Sequence, residues 1–437
     1  AEIENNKNPK KSINVKVWDG TGPSAFLDYD MGDYIMLDIK GTETSYRVLG
    51  MQLVWDGDTF GDVVVDLNSL FYSNSIALQQ QIDRLQNMLN SGNEGDNIYI
   101  NQWFGLGVSG DGGSDEEIRC MLVHNNILYV GGGFLRIGGI AAPYIAQYNL
   151  NTRVWSTVGN AVLNNDVYSM AISDDGLVLF LGGLFTNVGG VATIDNFVKL
   201  TISSGLYSDT SAPSFNTGCF SIAISGDSLF ALETSSYDVS KYTISTNTWT
   251  SPPITDALFD HGPIFTIYAS GNFLYVGGNG LNLTAISAEE GILKYAVGTD
   301  TWSSISAPMT AAVQEIVVSG AYLYAAGIWN DEPSSGSDSI ARCLLATNTW
   351  SSIDPPLVYP DDVRALLIDN DGNLIVAGLF TGNVYKYVIS SGEWFDMSGG
   401  FDDYVTALAF DENDIYAGGA FTTVEGTSSK MLAVYIT

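Results

Sequence analysis

A four-part unit recurs along the last three quarters of the chain, and it constrains the fold more than any bulk property. Each copy has an alternating strand, a polar turn, a strand ending in Gly-Gly or Ala-Gly, and a third strand before a segment opened by Trp and closed by Ser or Thr. The turn and glycine strand read HNNILYVGGGF from His124, DDGLVLFLGGLF from Asp174, SGNFLYVGGNG from Ser270, SGAYLYAAGIW from Ser319, DNDGNLIVAGLF from Asp369 and DENDIYAGGAF from Asp411. One further copy, SGDSLFALETS from Ser225, has lost the glycines. The aromatic markers that follow are Trp155, Tyr207, Trp249, Trp302, Trp350 and Trp394, spaced 42 to 53 residues apart. Units of this length are expected to be four-stranded sheets arranged radially, because a β-solenoid would need a shorter repeat.

The chain ends sharpen the expectation. The last unit, from Tyr404, stops at Thr437 without a Trp segment, while an orphan segment, NQWFGLGVSG around Trp103, precedes the first complete unit. One completes the other, since pairing the N-terminal strand into the last sheet removes two exposed edges. The predicted fold is therefore all-β: a seven-bladed β-propeller over residues 98–437, closed by an N-terminal strand.

The run YVGGGFLRIGGIAAPYIAQYNLNTRVWSTVG, Tyr129 to Gly159, resembles the kelch-related propeller repeats of galactose-oxidase-like and cortical-polarity-marker proteins. The shared pattern is Gly-Gly-x-Phe, a Gly-Gly turn, an Ala-x-Tyr strand and a Trp. The resemblance implies a propeller and leaves function open, because such repeats serve enzymes, adhesins and scaffolds.

Residues 1–73 read as a small β module with strands in SINVKVWDG, GDYIMLDIKG, SYRVLGMQLVWDGD and DVVVDLNSL. Residues 74–97 read as a helix and a linker, SGNEGDN. The helix, Asn74 to Asn90, carries Leu78, Ile82, Leu85 and Leu89 on one seam. That seam either docks on the rest of the chain or forms a short coiled coil that makes a homotrimer. The segment Gly32 to Phe71 resembles the small β domains near the ends of tailed-phage tail-hub and tail-tip proteins. That resemblance implies an anchor in a virion tail, with other tail proteins as partners and the propeller projecting outward.

Composition excludes some functions. The formal net charge of -32 would repel a phosphate backbone, so nucleic acid is not an expected partner; its simplest role is solubility. No run of about 18 apolar residues spans a bilayer, so membrane insertion is not expected either. Cys120, Cys219 and Cys343 lie far apart in apolar runs and are expected as buried free thiols. The segment after Ala1, with Lys7, Lys10 and Lys11, lacks a signal-peptide core, as a processed or truncated chain would.

Catalytic and metal chemistry find little support. Two histidines, His124 and His261, are too few for a His-rich metal site, and the ligands of copper oxidase chemistry are missing. Asp369, Asp371 and Asn373 have calcium-loop spacing, yet the EF-hand glycine and distal Glu are absent, so a hairpin turn is expected. No cofactor is implied. The largest interruptions, NGLNLTAISAEEG (Asn279 to Gly291) and IWNDEPSSGSDS (Ile328 to Ser339), fall between the second and third strands of their units, which sets both on one face. The second presents Trp329 beside Asn330, Asp331 and Glu332, a platform of the kind that stacks on sugars, or a Trp that covers its blade.

The expectation is a non-enzymatic tail protein, located in a virion tail or extracellularly, whose propeller binds a host-surface glycan or protein. A bacterial adhesin or scaffold with the same propeller is the alternative, and a polysaccharide-degrading enzyme the third.

Overall fold

In the computed structural model, the residues described are five N-terminal strands, by backbone alone, and residues 102–436 without 107–112, 190–195, 211–214, 216–217, 234–237, 255–262, 282–289, 306–311, 329–338, 354–361, 381–382, 398–399 and 412–413. The chain divides into two compact units, Ala1–Tyr99 and Ile100–Thr437.

In the first unit, Tyr34–Ile39 pairs with Thr42–Arg47 as a hairpin, and Gly50–Asp56 pairs with Thr59–Asp66, whose other edge takes Ser12–Val15. The run from Ser45 to Asp58, expected as one strand, is thus two strands in two different sheets, divided before Gly50, where a glycine tolerates a change of direction. The helix seam of Leu78, Ile82, Leu85 and Leu89 lies outside the described residues.

In the second unit, the described residues form seven four-stranded antiparallel sheets, six of them continuous in sequence. Their innermost strands are Ile118–His124, Val167–Ile172, Cys219–Ser225, Ile264–Ser270, Ala312–Ser319, Asp362–Ile368 and Val405–Phe410, heading blades I to VII. Each innermost strand packs on the next, and that of blade VII packs on that of blade I, so the sheets close a ring. Blade VII takes its outer strand from the start of the unit: Gln102–Gly105 pairs antiparallel with Leu432–Ile436. This is a seven-bladed β-propeller sealed by an N-terminal strand, as the incomplete last repeat predicted.

The second strands are buried on both faces, as in Ile127–Gly132 and Leu374–Leu379, because each blade is sandwiched between two others. Seven apolar clusters fill the interfaces among the described residues, one between each pair of neighbouring blades. The outer-strand aromatic ties blades together. The indole Nε1–H of Trp249, Trp350, Trp394 and Trp103 donates to the carbonyl oxygen of Thr210, Ile305, Ile353 and Met397 in the preceding blade at 3.2, 3.0, 2.7 and 2.7 Å. Tyr207, the substitute in blade II, makes the same link through its hydroxyl to the Val158 carbonyl at 2.9 Å.

Candidate functional site

The glycine near the end of five of the second strands has a steric cause. A Cβ at Gly132, Gly183, Gly278, Gly378 or Gly419 would collide with the carbonyl oxygen of Glu117, Asp166, Pro263, Asp362 or Tyr404 at the entry to the adjacent innermost strand. That carbonyl approaches because the innermost strand bulges there: its register against the second strand shifts by one residue in every blade. A bulge leaves one residue unpaired and re-aims its side chain. The bulged residues are Arg119, Tyr168, Phe220, Phe265, Gln314, Arg364 and Thr406. They occupy equivalent positions at the start of the seven innermost strands and so ring one mouth of the central channel.

This mouth opens on the face where the blades join and where second strands end. Its loops are held by a recurrent clamp. One side-chain oxygen accepts two successive backbone N–H groups: Asp115 from Leu135 and Arg136, Asn164 from Thr186 and Asn187, and Asp402 from Thr422 and Thr423, all at 2.7–3.0 Å. At Asp402, burial works against ionisation, but hydrogen bonds from Thr422 and Thr423 prevail and hold the carboxyl below the usual range.

The mouth is two-sided. On one rim, Phe220 and Phe265 are 41% and 42% exposed, although their strand neighbours Cys219, Ile264 and Thr266 are buried. Tyr168 packs on Phe220 with ring centroids 4.5 Å apart, and the Arg119 guanidinium sits 4.6 Å from the Tyr168 ring centroid. The rest of the rim is charged, beginning at Arg119 itself. Arg119 bridges Glu117 at 2.7 Å and Asp166 at 3.2 Å, and Arg364 pairs with Asp362 at 2.7 Å while lying 4.1 Å from the Tyr404 ring centroid. The second carboxylate oxygen of Asp362, Oδ1, is buried without a hydrogen-bond partner in the structure.

Just inside the mouth, Glu315 follows the bulge of blade V, at a position occupied by Cys120, Ser169, Ser221, Thr266, Ala365 and Ala407 in the other blades. Protein surrounds it closely enough that burial pushes its carboxyl up to about 8, against a weaker opposing hydrogen bond from the Ile316 backbone. Its charge also raises the phenol of Tyr268 in blade IV, which burial has already pushed up.

The sequence-predicted platform of Trp329, Asn330, Asp331 and Glu332 lies outside the described residues. Ile328, the strand residue before it, pairs with Ala312 and ends at the mouth face. The other predicted interruption is shorter than its sequence suggested, because Asn279 to Leu281 extend one strand and Glu290 begins the next. Asp369 serves its turn, accepting from the Asn373 backbone at 2.7 Å and pairing with Lys386 at 2.8 Å. Cys219 and Cys343 are buried free thiols, while Cys120 is only partly covered. Burial raises all three thiols above their ordinary range, Cys343 to about 11. His124 ends the innermost strand of blade I on the opposite side, and His261 lies outside the described residues.

No protein-family model matches the chain, and no curated protein matches its sequence. Solved structures do. The extracellular domain of the one component system BT4673 from B. thetaiotaomicron is similar at 13% identity and a TM-score of 0.53, over 77% of this chain and 40% of that one. The chain thus spans less than half of that protein's solved length. U3-55K is similar at 12% identity and a TM-score of 0.54, over 77% of this chain and 98% of that one. A chain of the mitotic checkpoint complex matches at 13% identity and a TM-score of 0.54, over 79% and 94% of the two chains. At these identities the likeness is one of fold.

Proposed function

We propose that this chain is a recognition protein of a tailed-phage-like particle, anchored by residues 1–73, whose propeller binds a host-surface component without covalent chemistry. One observation carries the reading: two phenylalanines stand exposed at equivalent bulges on a rigid ring, facing the loop-bearing side. Exposed apolar side chains gathered at one mouth of a stiff scaffold, unlike singly scattered ones, favour a contact surface. The N-terminal module suits an anchoring role because it precedes, in the chain, the strand that seals the ring. The likeness of its sequence to tail-hub β domains points the same way.

Immunogold electron microscopy with antibody against residues 98–437, on cultures holding both cells and particles, tests the reading. Gold is expected on tail tips or fibres. Gold confined to cell envelopes overturns the tail assignment and favours an adhesin, and release of reducing sugar from host polysaccharide overturns the binding-only account.

A further inference from the structure

We infer that the channel mouth binds an uncharged pyranose ring of a host-surface glycan, with Phe220 and Phe265 as the stacking surface. The inference rests on the recognition reading for its biological setting, but its chemistry stands on the mouth alone. A pyranose has an apolar C–H face and a girdle of hydroxyls, and the mouth offers both counterparts across one opening. Phe220 and Phe265 give adjacent apolar faces, 41% and 42% exposed, and Tyr168 supports the first at 4.5 Å. The charged part of the rim, which begins at Arg119 beside Tyr168, gives fixed hydrogen-bonding groups.

Arg119 and Arg364 are locked by carboxylates at 2.7 Å, so their remaining N–H groups are presented with little conformational freedom to lose. Charge selects within the sugars. Arg119 and Arg364 are each neutralised by carboxylates, and the whole chain carries -32, so uronic acids, sialic acids and phosphates are repelled while neutral rings are not. A purely apolar partner, such as a hydrophobic peptide, would bury the charged rim without satisfying it.

Saturation-transfer difference NMR on the full chain tests this with methyl β-glucopyranoside, glucuronate and N-acetylphenylalaninamide as separate probes. Saturation is expected on the ring C–H protons of the glucoside, with glucuronate at least tenfold weaker. The F220A/F265A pair is expected to weaken glucoside binding by tenfold or more. F265W is expected to retain it. Both positions are exposed, so an unchanged melting temperature in the double variant separates lost contact from lost fold. Equal saturation in the double variant, or saturation of the phenylalanine amide alone, overturns the inference. Cell binding by the same proteins separates this from the broader reading. Binding to host cells that sugars do not compete overturns the pyranose and leaves recognition standing; glucoside binding without cell binding leaves the pyranose and overturns host recognition.

Discussion

Glu315 and the bulge-facing glycines carry the sharpest consequences at the scale of single residues. The Glu315 carboxyl titrates near 8 in the folded chain against 4.5 when exposed, so the folded state holds a proton that the unfolded state has lost between those values. Its contribution is fully present below about pH 4.5, falls as pH rises toward 8, and is flat above. Glu315→Gln should therefore match the parent at pH 4 and exceed it by roughly 1–3 kcal/mol at pH 8.5, read from urea unfolding at the two pH values. Two glycines make a second comparison. Gly132→Ala drives a Cβ into the Glu117 carbonyl, which the bulge cannot yield without breaking strand pairing, and should cost about 2–4 kcal/mol. Gly271→Ala, at φ 56° with nothing within 4 Å, meets only the backbone penalty and should cost about 1 kcal/mol by the same measurement.

The interblade aromatic is the element-scale feature. Trp394 packs on its cross-strand partner Tyr387, with ring centroids 4.9 Å apart, while its Nε1–H reaches the Ile353 carbonyl of the preceding blade. Trp394→Phe keeps the packing and loses the bond, an expected loss of about 1 kcal/mol; Trp394→Ala loses both, about 3 kcal/mol or more, measured by thermal denaturation. These elements were legible in the sequence because their residues answer to local rules. Trp opens an outer strand in nearly every repeat, and paired glycines mark a place where no Cβ fits. The mouth was not legible. In CFSIAI and IFTIYA, Phe220 and Phe265 occupy alternation that reads as core, and only a one-residue shift against the second strand turns them outward. A faint signal existed: aligning the units by their glycines sets Arg119, Tyr168, Phe220, Phe265, Gln314, Arg364 and Thr406 in one column, too variable for a core position. The third strands hold another such column, Lys199, Lys241, Lys294, Arg342 and Lys386. It consumes scarce cations in local contacts, among them Lys241 with Asp300 of the next blade at 3.6 Å and Lys294 over Phe273 at 3.8 Å.

The whole molecule is a ring whose stability depends on its seal. Removing residues 1–106 deletes Trp103, which is 2% exposed, and bares the edge of Leu432–Ile436. The shortened protein should melt at lower temperature and self-associate on a sizing column, and a peptide of residues 98–110 added in trans should reverse both. Net charge acts at the same scale. With -32 distributed over one chain, self-repulsion opposes compactness, so the melting temperature should rise when salt is raised from about 10 mM to 300 mM, as screening shortens from about 30 Å toward 5 Å. The sealing strand also imposes an order of events on biosynthesis. Gly105 leaves the ribosome before Ala433 and must wait for it, which at about 5–20 residues per second takes tens of seconds. Blades I to VI can stack as they emerge, but the nascent protein carries an unpaired Gln102–Gly105 strand and an open blade edge until Leu432–Ile436 has emerged. Neighbouring chains on one polysome could exchange those strands, and the shared negative charge of their emerging surfaces opposes that exchange.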